Sequence, residues 1–212
     1  MDKKVAIFDF DGTLADVIVV LRSLYGDVAV KRGWPDLTDE ALQLLRKGTY
    51  REALKWLGVR PWQMPALMRE GRRLYYARRS EVRLFEGMAE VLAELHHRGW
   101  DMYVLSINSE QTIKDLLADY RVDHLVHVLR RPAVFGKAMS INRLVRRRGY
   151  SRQNVWMIGD ELRDVDAAKK AQVKSVAVAW GLQDRELLKN ASPTGLADTP
   201  ADIVRLLTSK ET

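Results

Sequence analysis

The chain has 212 residues, 47 % hydrophobic and 30 % charged, which suits one sizeable domain with a buried core and no low-complexity tract. It has no cysteine, which excludes disulfides, thiolate metal sites and a cysteine nucleophile. The formal charge of +7 gathers in REGRRLYYARRSEVR (69–83) and RLVRRRGYSR (143–152), but 28 acidic residues are spread through the same chain. These clusters read as solvated helix faces or a general pull on small anions, and nucleic acid is not expected as a partner.

In chain order, VAIFDF (5–10) comes first, a continuous apolar run suited to a buried strand. It meets Asp9 too early for a signal peptide, and no later stretch approaches membrane-spanning length. A cytoplasmic protein with no membrane contact is the expectation. Residues 17–82 carry no strand signal and read as several helices. Ile18, Leu21, Tyr25 and Val28 make one helical stripe, and Thr38 can cap the next helix with Leu37 and Leu42 stapled across it. Gly48 and Gly58 end two helices, and Pro61 suits the first turn of another.

After residue 82, strand and helix patterns take turns. GMAEVLAELHHRG (87–99) sets Val91, Leu92 and Leu95 on one face and stops at Gly99. MYVLSI (102–107) follows, then a helix over 109–120 capped by Ser109, then HLVHVL (124–129). A helix over 137–148, the strand VWMIG (155–159), a helix over 161–171 and the strand SVAVAW (175–180) continue the pattern. Alternation of this kind predicts an α/β fold of right-handed βαβ units, a Rossmann-like parallel sheet with helices on both faces. The expected division is an α/β core of residues 1–16 and 83–212, with 17–82 as an inserted helical domain.

Open α/β sheets do their chemistry at the carboxyl ends of the strands, and polar residues sit at those positions. Asp9 and Asp11 follow the first strand, spaced so that both carboxylates can face one site. One can attack phosphorus while the other handles a proton. Asp9, the backbone carbonyl of Asp11, and Asp160 could supply the protein ligands of a Mg²⁺ ion, and Asp164, one helical turn beyond Asp160, can face the same site as a further ligand or as a group that orients the others. Ser106, with the N–H groups of Ile107 and Asn108 after it, and the cationic Lys137 make a phosphate pocket. The histidines show no zinc-ligand spacing, and neither a dinucleotide fingerprint nor a P-loop occurs.

DFDGT (9–13), the strand ending at Ser106, Lys137 and GDELRD (159–164) together resemble the four motifs of the haloacid dehalogenase superfamily. The segment DVDAAKKAQVKSVAVAWG and the tail LADTPADIVRLL are similar to its phosphoglycolate phosphatase-like branch. The resemblance implies that Asp9 is the nucleophile and Asp11 the acid/base. Gly12, Thr13, Ser106, Ile107, Asn108 and Lys137 would hold phosphate, and Asp9, Asp11, Asp160 and Asp164 would hold Mg²⁺. The insert would be a cap that opens and closes over the site.

Hydrolytic dehalogenases lack the second aspartate, so Asp11 implies a phosphate ester as substrate. The expectation is a Mg²⁺-dependent phosphatase acting on a small phosphorylated metabolite through an aspartyl-phosphate, as a monomer or homodimer. Two alternatives are a β-phosphoglucomutase-like sugar phosphate mutase and a nucleic-acid-binding protein with this domain. Val17 and Glu161 depart from the Ser or Thr frequent in relatives. Lys47, Thr49 and Arg51 lie where related caps send side chains into the site.

Overall fold

The computed structural model describes residues 3–48, 50–130 and 136–209. The chain opens with β1 (Val5–Phe8) and β2 (Ala15–Asp16), followed by α1 (Ile18–Arg32), α2 (Asp39–Lys47), α3 (Tyr50–Trp56) and α4 (Met64–Ala77). Next come β3 (Arg83–Leu84), α5 (Met88–His97), β4 (Asp101–Ser106), α6 (Glu110–Asp119) and β5 (His127–Arg130). The remainder is α7 (Lys137–Arg148), β6 (Val155–Gly159), α8 (Leu162–Ala171), β7 (Lys174–Val178), α9 (Arg185–Asn190), β8 (Gly195–Ala197) and α10 (Pro200–Thr208).

Six parallel strands form one sheet in the order β5-β4-β1-β6-β7-β8. The chain steps outward from β1 through β4 to β5, then crosses back to β6 on the far side of β1 and steps outward again. Such a reversal opens a crevice at the carboxyl ends of the central strands. β1 shows how the sequence fixes both faces. Ala6 and Phe8 pack with Met88, Leu92 and Leu95 of α5, while Val5 and Ile7 pack with Ile141 and Leu144 of α7 and Ala168 of α8. An apolar run with no in/out alternation is what a strand covered on both faces requires.

HLVHVL forms a strand only in its second half. Arg121 leaves α6 with a φ of 58°, and Asp123–Leu125 then tightens into a 3-10 turn. The Lys114 ammonium donates to the Asp123 and Val126 carbonyls, and the ladder to β4 starts only at His127. β8 was not among the expected strands: three residues within ASPTGLAD are too short for a hydrophobic period, yet they complete the sheet beside β7.

Helices α1 to α4 form an excursion whose two ends meet. β2 and β3 pair antiparallel, Ala15 opposite Leu84 and Asp16 opposite Arg83, so the chain leaves and returns at neighbouring points. Thr38 Oγ1 accepts from the Ala41 N–H at 3.2 Å at the start of α2, as its sequence position predicts. No helix among the described residues is long and apolar enough to cross a membrane.

Candidate active site

The loop after β1 is folded back hard on itself. The N–H groups of Thr13, Leu14 and Ala15 all donate to the Phe10 carbonyl, and Phe10 and Leu14 are buried beneath it. Gly12 turns the chain with a φ of 82°, and a Cβ there would lie 2.2 Å from Asp160 Oδ2. A second glycine, Gly181, has the same constraint: its Cβ would come within 2.2 Å of the Asp160 Cβ. Only glycine lets both loops close on this carboxylate.

Four charged side chains meet under that loop. The Lys137 ammonium, at the first position of α7, donates to Asp9 Oδ2 at 2.5 Å and to the Asp164 carboxylate. Asp160 has no exposure and accepts from Thr13 Oγ1 at 2.8 Å and from the Leu182 N–H at 2.7 Å. Asp164 closes the capping box of α8, its carboxylate accepting from the Glu161 N–H at 3.2 Å. Oxygens of Asp9, Asp160 and Asp164 lie within 4.8 Å of one another.

Burial disfavours these charges, and the site shows it. Asp160 is held well above the ordinary carboxylate range by burial and then by Asp9 and Glu161. Burial also pushes Asp164 up, opposed by Lys137. Burial works against the Lys137 charge too, but Asp164 and Asp9 outweigh it and hold the ammonium above its usual pKa. Asp9 and Asp164 share the Lys137 ammonium, Asp160 has no cationic partner among the described residues, and the nearby Arg163 guanidinium pairs with Glu161. That set of hard oxygen donors, with negative charge in excess, suits a divalent cation such as Mg²⁺.

Asp11 stands apart from this cluster. Its carboxylate accepts from Asn108 Nδ2 at 2.9 and 3.1 Å and from Tyr75 Oη at 3.0 Å. Burial, then the nearby Asp9 charge, raises it to about 6, while the Tyr75 and Asn108 bonds pull the other way. Asp9 and Asp11 are therefore neighbours with different partners: one faces Lys137, the other faces the helical insert. The Ser106 hydroxyl, buried at the end of β4, accepts from the Asn108 N–H at 3.0 Å. The Thr13 hydroxyl is turned to Asp160 rather than toward open space.

Asp11, Ile107, Asn108 and Ser109 floor a cavity of about 870 Å³ whose walls are largely the helical insert. The stripe of Ile18, Leu21, Tyr25 and Val28 lines this cavity. Tyr75 is the residue the sequence did not reveal: in REGRRLYYARR it looks like one more aromatic among arginines, and only folding carries it to Asp11. Lys47 is not among the described residues lining the cavity, whereas Arg22, Arg46 and Arg73 are. Thr49 and the Arg51 side chain lie outside the described residues. Part of the basic cluster is neutralised within the insert, where Arg78 pairs with Asp27 at 2.7 Å.

An open parallel sheet with buried acids at the carboxyl ends of its central strands, and a helical excursion beside them, is the architecture of a class of α/β enzymes that work at strand ends. The sequence profile of the haloacid dehalogenase-like hydrolases matches residues 6–178, and the chain belongs to that family, on its phosphoglycolate phosphatase-like branch. It is similar to a phosphoglycolate phosphatase of Synechococcus elongatus, 32 % identical over 203 residues that cover 95 % of this chain and 96 % of the relative. The pyrophosphatase PpaX of Listeria welshimeri is 22 % identical, covering 97 % of this chain and 96 % of its own. In fold, the chain superposes on a haloacid dehalogenase-like hydrolase from Streptococcus pneumoniae with a TM-score of 0.79 at 19 % identity, over 96 % of this chain and 97 % of that one.

Proposed function

We propose that this chain is a Mg²⁺-dependent phosphatase that hydrolyses a small phosphate monoester through an aspartyl-phosphate on Asp9. In this reading residues 17–82 act as a cap domain over a core of residues 1–16 and 83–212. The observation that carries it is the division of labour at the strand ends. Asp9 sits with Lys137, Asp160 and Asp164, while Asp11 is held separately beside the cavity.

An oxygen of Asp9 attacks phosphorus, and the bond from phosphorus to the ester oxygen breaks with its electron pair on that oxygen. Asp11 gives the departing alkoxide a proton and is left as a carboxylate. It then takes a proton from water, whose oxygen attacks phosphorus and releases Asp9 and inorganic phosphate. Ser106, the Ile107 N–H and Lys137 hold the phosphate oxygens, Gly12 and Asn108 shape the loops around them, and Thr13 braces the first loop through Asp160. Mg²⁺, held by Asp9, Asp160, Asp164 and the Asp11 backbone carbonyl, would supply positive charge next to the phosphate. Cap closure keeps bulk water away while the ester is bound. A cytoplasmic setting and a monomeric or homodimeric state go with this reading.

Phosphate release from a panel of phosphorylated metabolites, with Mg²⁺ and with a chelator, tests it. Asp9→Asn is expected to abolish release from every ester, and chelation to suppress it. Full activity in Asp9→Asn would refute the nucleophile assignment.

A further inference from the structure

The cavity beside Asp11 is large and apolar for a phosphate carried on two carbons. Its volume of about 870 Å³ falls within the roughly 300–1,000 Å³ of pockets that enclose drug-sized ligands. Leu24 and Val28 on α1, Leu42 on α2, and Leu67 and Leu74 on α4 supply its walls. This is also the volume with the two parts docked. Tyr75 donates to Asp11, Arg46 donates to the Gly181 carbonyl at 3.0 Å, and the Asp184 N–H donates to the Arg46 carbonyl at 2.9 Å.

A second anionic group on the substrate would find little to meet it. Of the three arginines at the lining, Arg22 is taken by Asp39 and Arg46 by Gly181, which leaves Arg73 among the described residues. An ionised carboxylate there would depend on that single guanidinium, whereas a hydrocarbon group gains from most of the wall.

We infer that this site prefers phosphate monoesters of bulky, mainly apolar alcohols, an aromatic or branched hydrocarbon group on a short link to the phosphate, over the ester of a two-carbon acid. The inference rests on the phosphatase reading and adds the class of alcohol. The reaction is the same: the phosphorus–oxygen bond to the alcohol breaks, and water supplies the proton and the oxygen.

The test is kcat/KM with Mg²⁺ for esters of primary alcohols, which equalises the leaving group: phosphoglycolate, glycerol phosphate, phenylethyl phosphate and naphthylethyl phosphate. Burial of one ring system corresponds to a preference of about 10²-fold for the aromatic esters over phosphoglycolate. Equal values, or a preference for phosphoglycolate, would overturn the inference and leave the phosphatase reading standing. Release from none of the four esters would also overturn the inference, while the phosphatase reading is decided by the wider metabolite panel. Gly71 on α4 lines the cavity, and a Cβ there meets no atom within 4 Å, so Gly71→Phe places a ring in the space without a clash at its base. It should lower the naphthylethyl-to-glycerol ratio by about tenfold. An unchanged ratio would show that the hydrocarbon group lies elsewhere.

Discussion

Asp160 and Leu24 are both buried, at 0 % and 6 % exposure, the first beneath the loop after β1 and the second in the cavity wall, and they are held in different ways. Asp160 accepts two directed hydrogen bonds and is boxed in by two glycines with no room for a methyl group. Leu24 sits in a helix that packs through non-directional contacts and borders open volume. Directed bonds in a dry site fix an atom closely, whereas an apolar wall can repack with side chains of similar volume. One fold thus carries a rigid floor under the β1 loop that tolerates almost no change and a cavity wall that tolerates much.

The largest expected effect on this contrast lies at its boundary. Asp11→Asn should lower kcat for alkyl esters by about 10²-fold or more, with a smaller loss for nitrophenyl phosphate, whose leaving group needs no proton. Equal losses on both would mean that Asp11 does not donate the proton. Next comes the floor itself. Gly12→Ala combines a φ of 82° with a Cβ 2.2 Å from Asp160, so urea unfolding should show a loss of about 1–3 kcal/mol. An unshifted midpoint would show that the floor gives way as readily as the wall.

The smallest effect lies far from both. Asp202 in the capping box of α10 accepts from the Asp198 and Thr199 N–H groups at 3.1 and 2.9 Å. The Arg205 guanidinium and the Thr199 N–H pull its pKa down to about 2. Asp202→Asn should cost about 1 kcal/mol near neutral pH with ester preference unchanged. A depressed carboxylate stabilises the fold above its unfolded pKa, and that stability is lost as pH falls through the folded value. The stability gap between the two proteins should therefore narrow from about pH 4 toward pH 2. A gap that stayed constant over that range would assign the cost to packing instead.

The α/β layout was legible because β1, β4, β6 and β7 are apolar runs and the helices between them carry clear stripes and caps. Ser109 accepts from the Thr112 N–H at 3.1 Å, and Gly99 turns the chain at the end of α5 with a φ of 77°. β8 was hidden because three residues show no period, and half of HLVHVL was misread because a 3-10 turn takes up its start and a lysine from α6 occupies the Val126 carbonyl. Among the site residues, those placed directly after strands could be located from sequence, since a strand end fixes where the next side chain emerges. Tyr75 and Gly181 could not. One is brought to Asp11 across 64 residues of chain, and the other matters only because Asp160 packs against it.

The central position of β1 has a consequence for how the chain is made. Val5 pairs with Asp101 on one side and with Val155 on the other, so β1 is flanked by partners that follow it much later in the chain. At roughly 5–20 residues per second, the wait for β6 is on the order of ten seconds. During that time VAIF is an unpaired apolar segment of the kind that sticks to copies of itself. Lys3 and Lys4 precede it and Asp9 and Asp11 follow it, charges that guard both ends of the segment against aggregation. The same two aspartates that the folded protein places at its candidate site thus stand where charges that discourage self-association of an apolar run are placed.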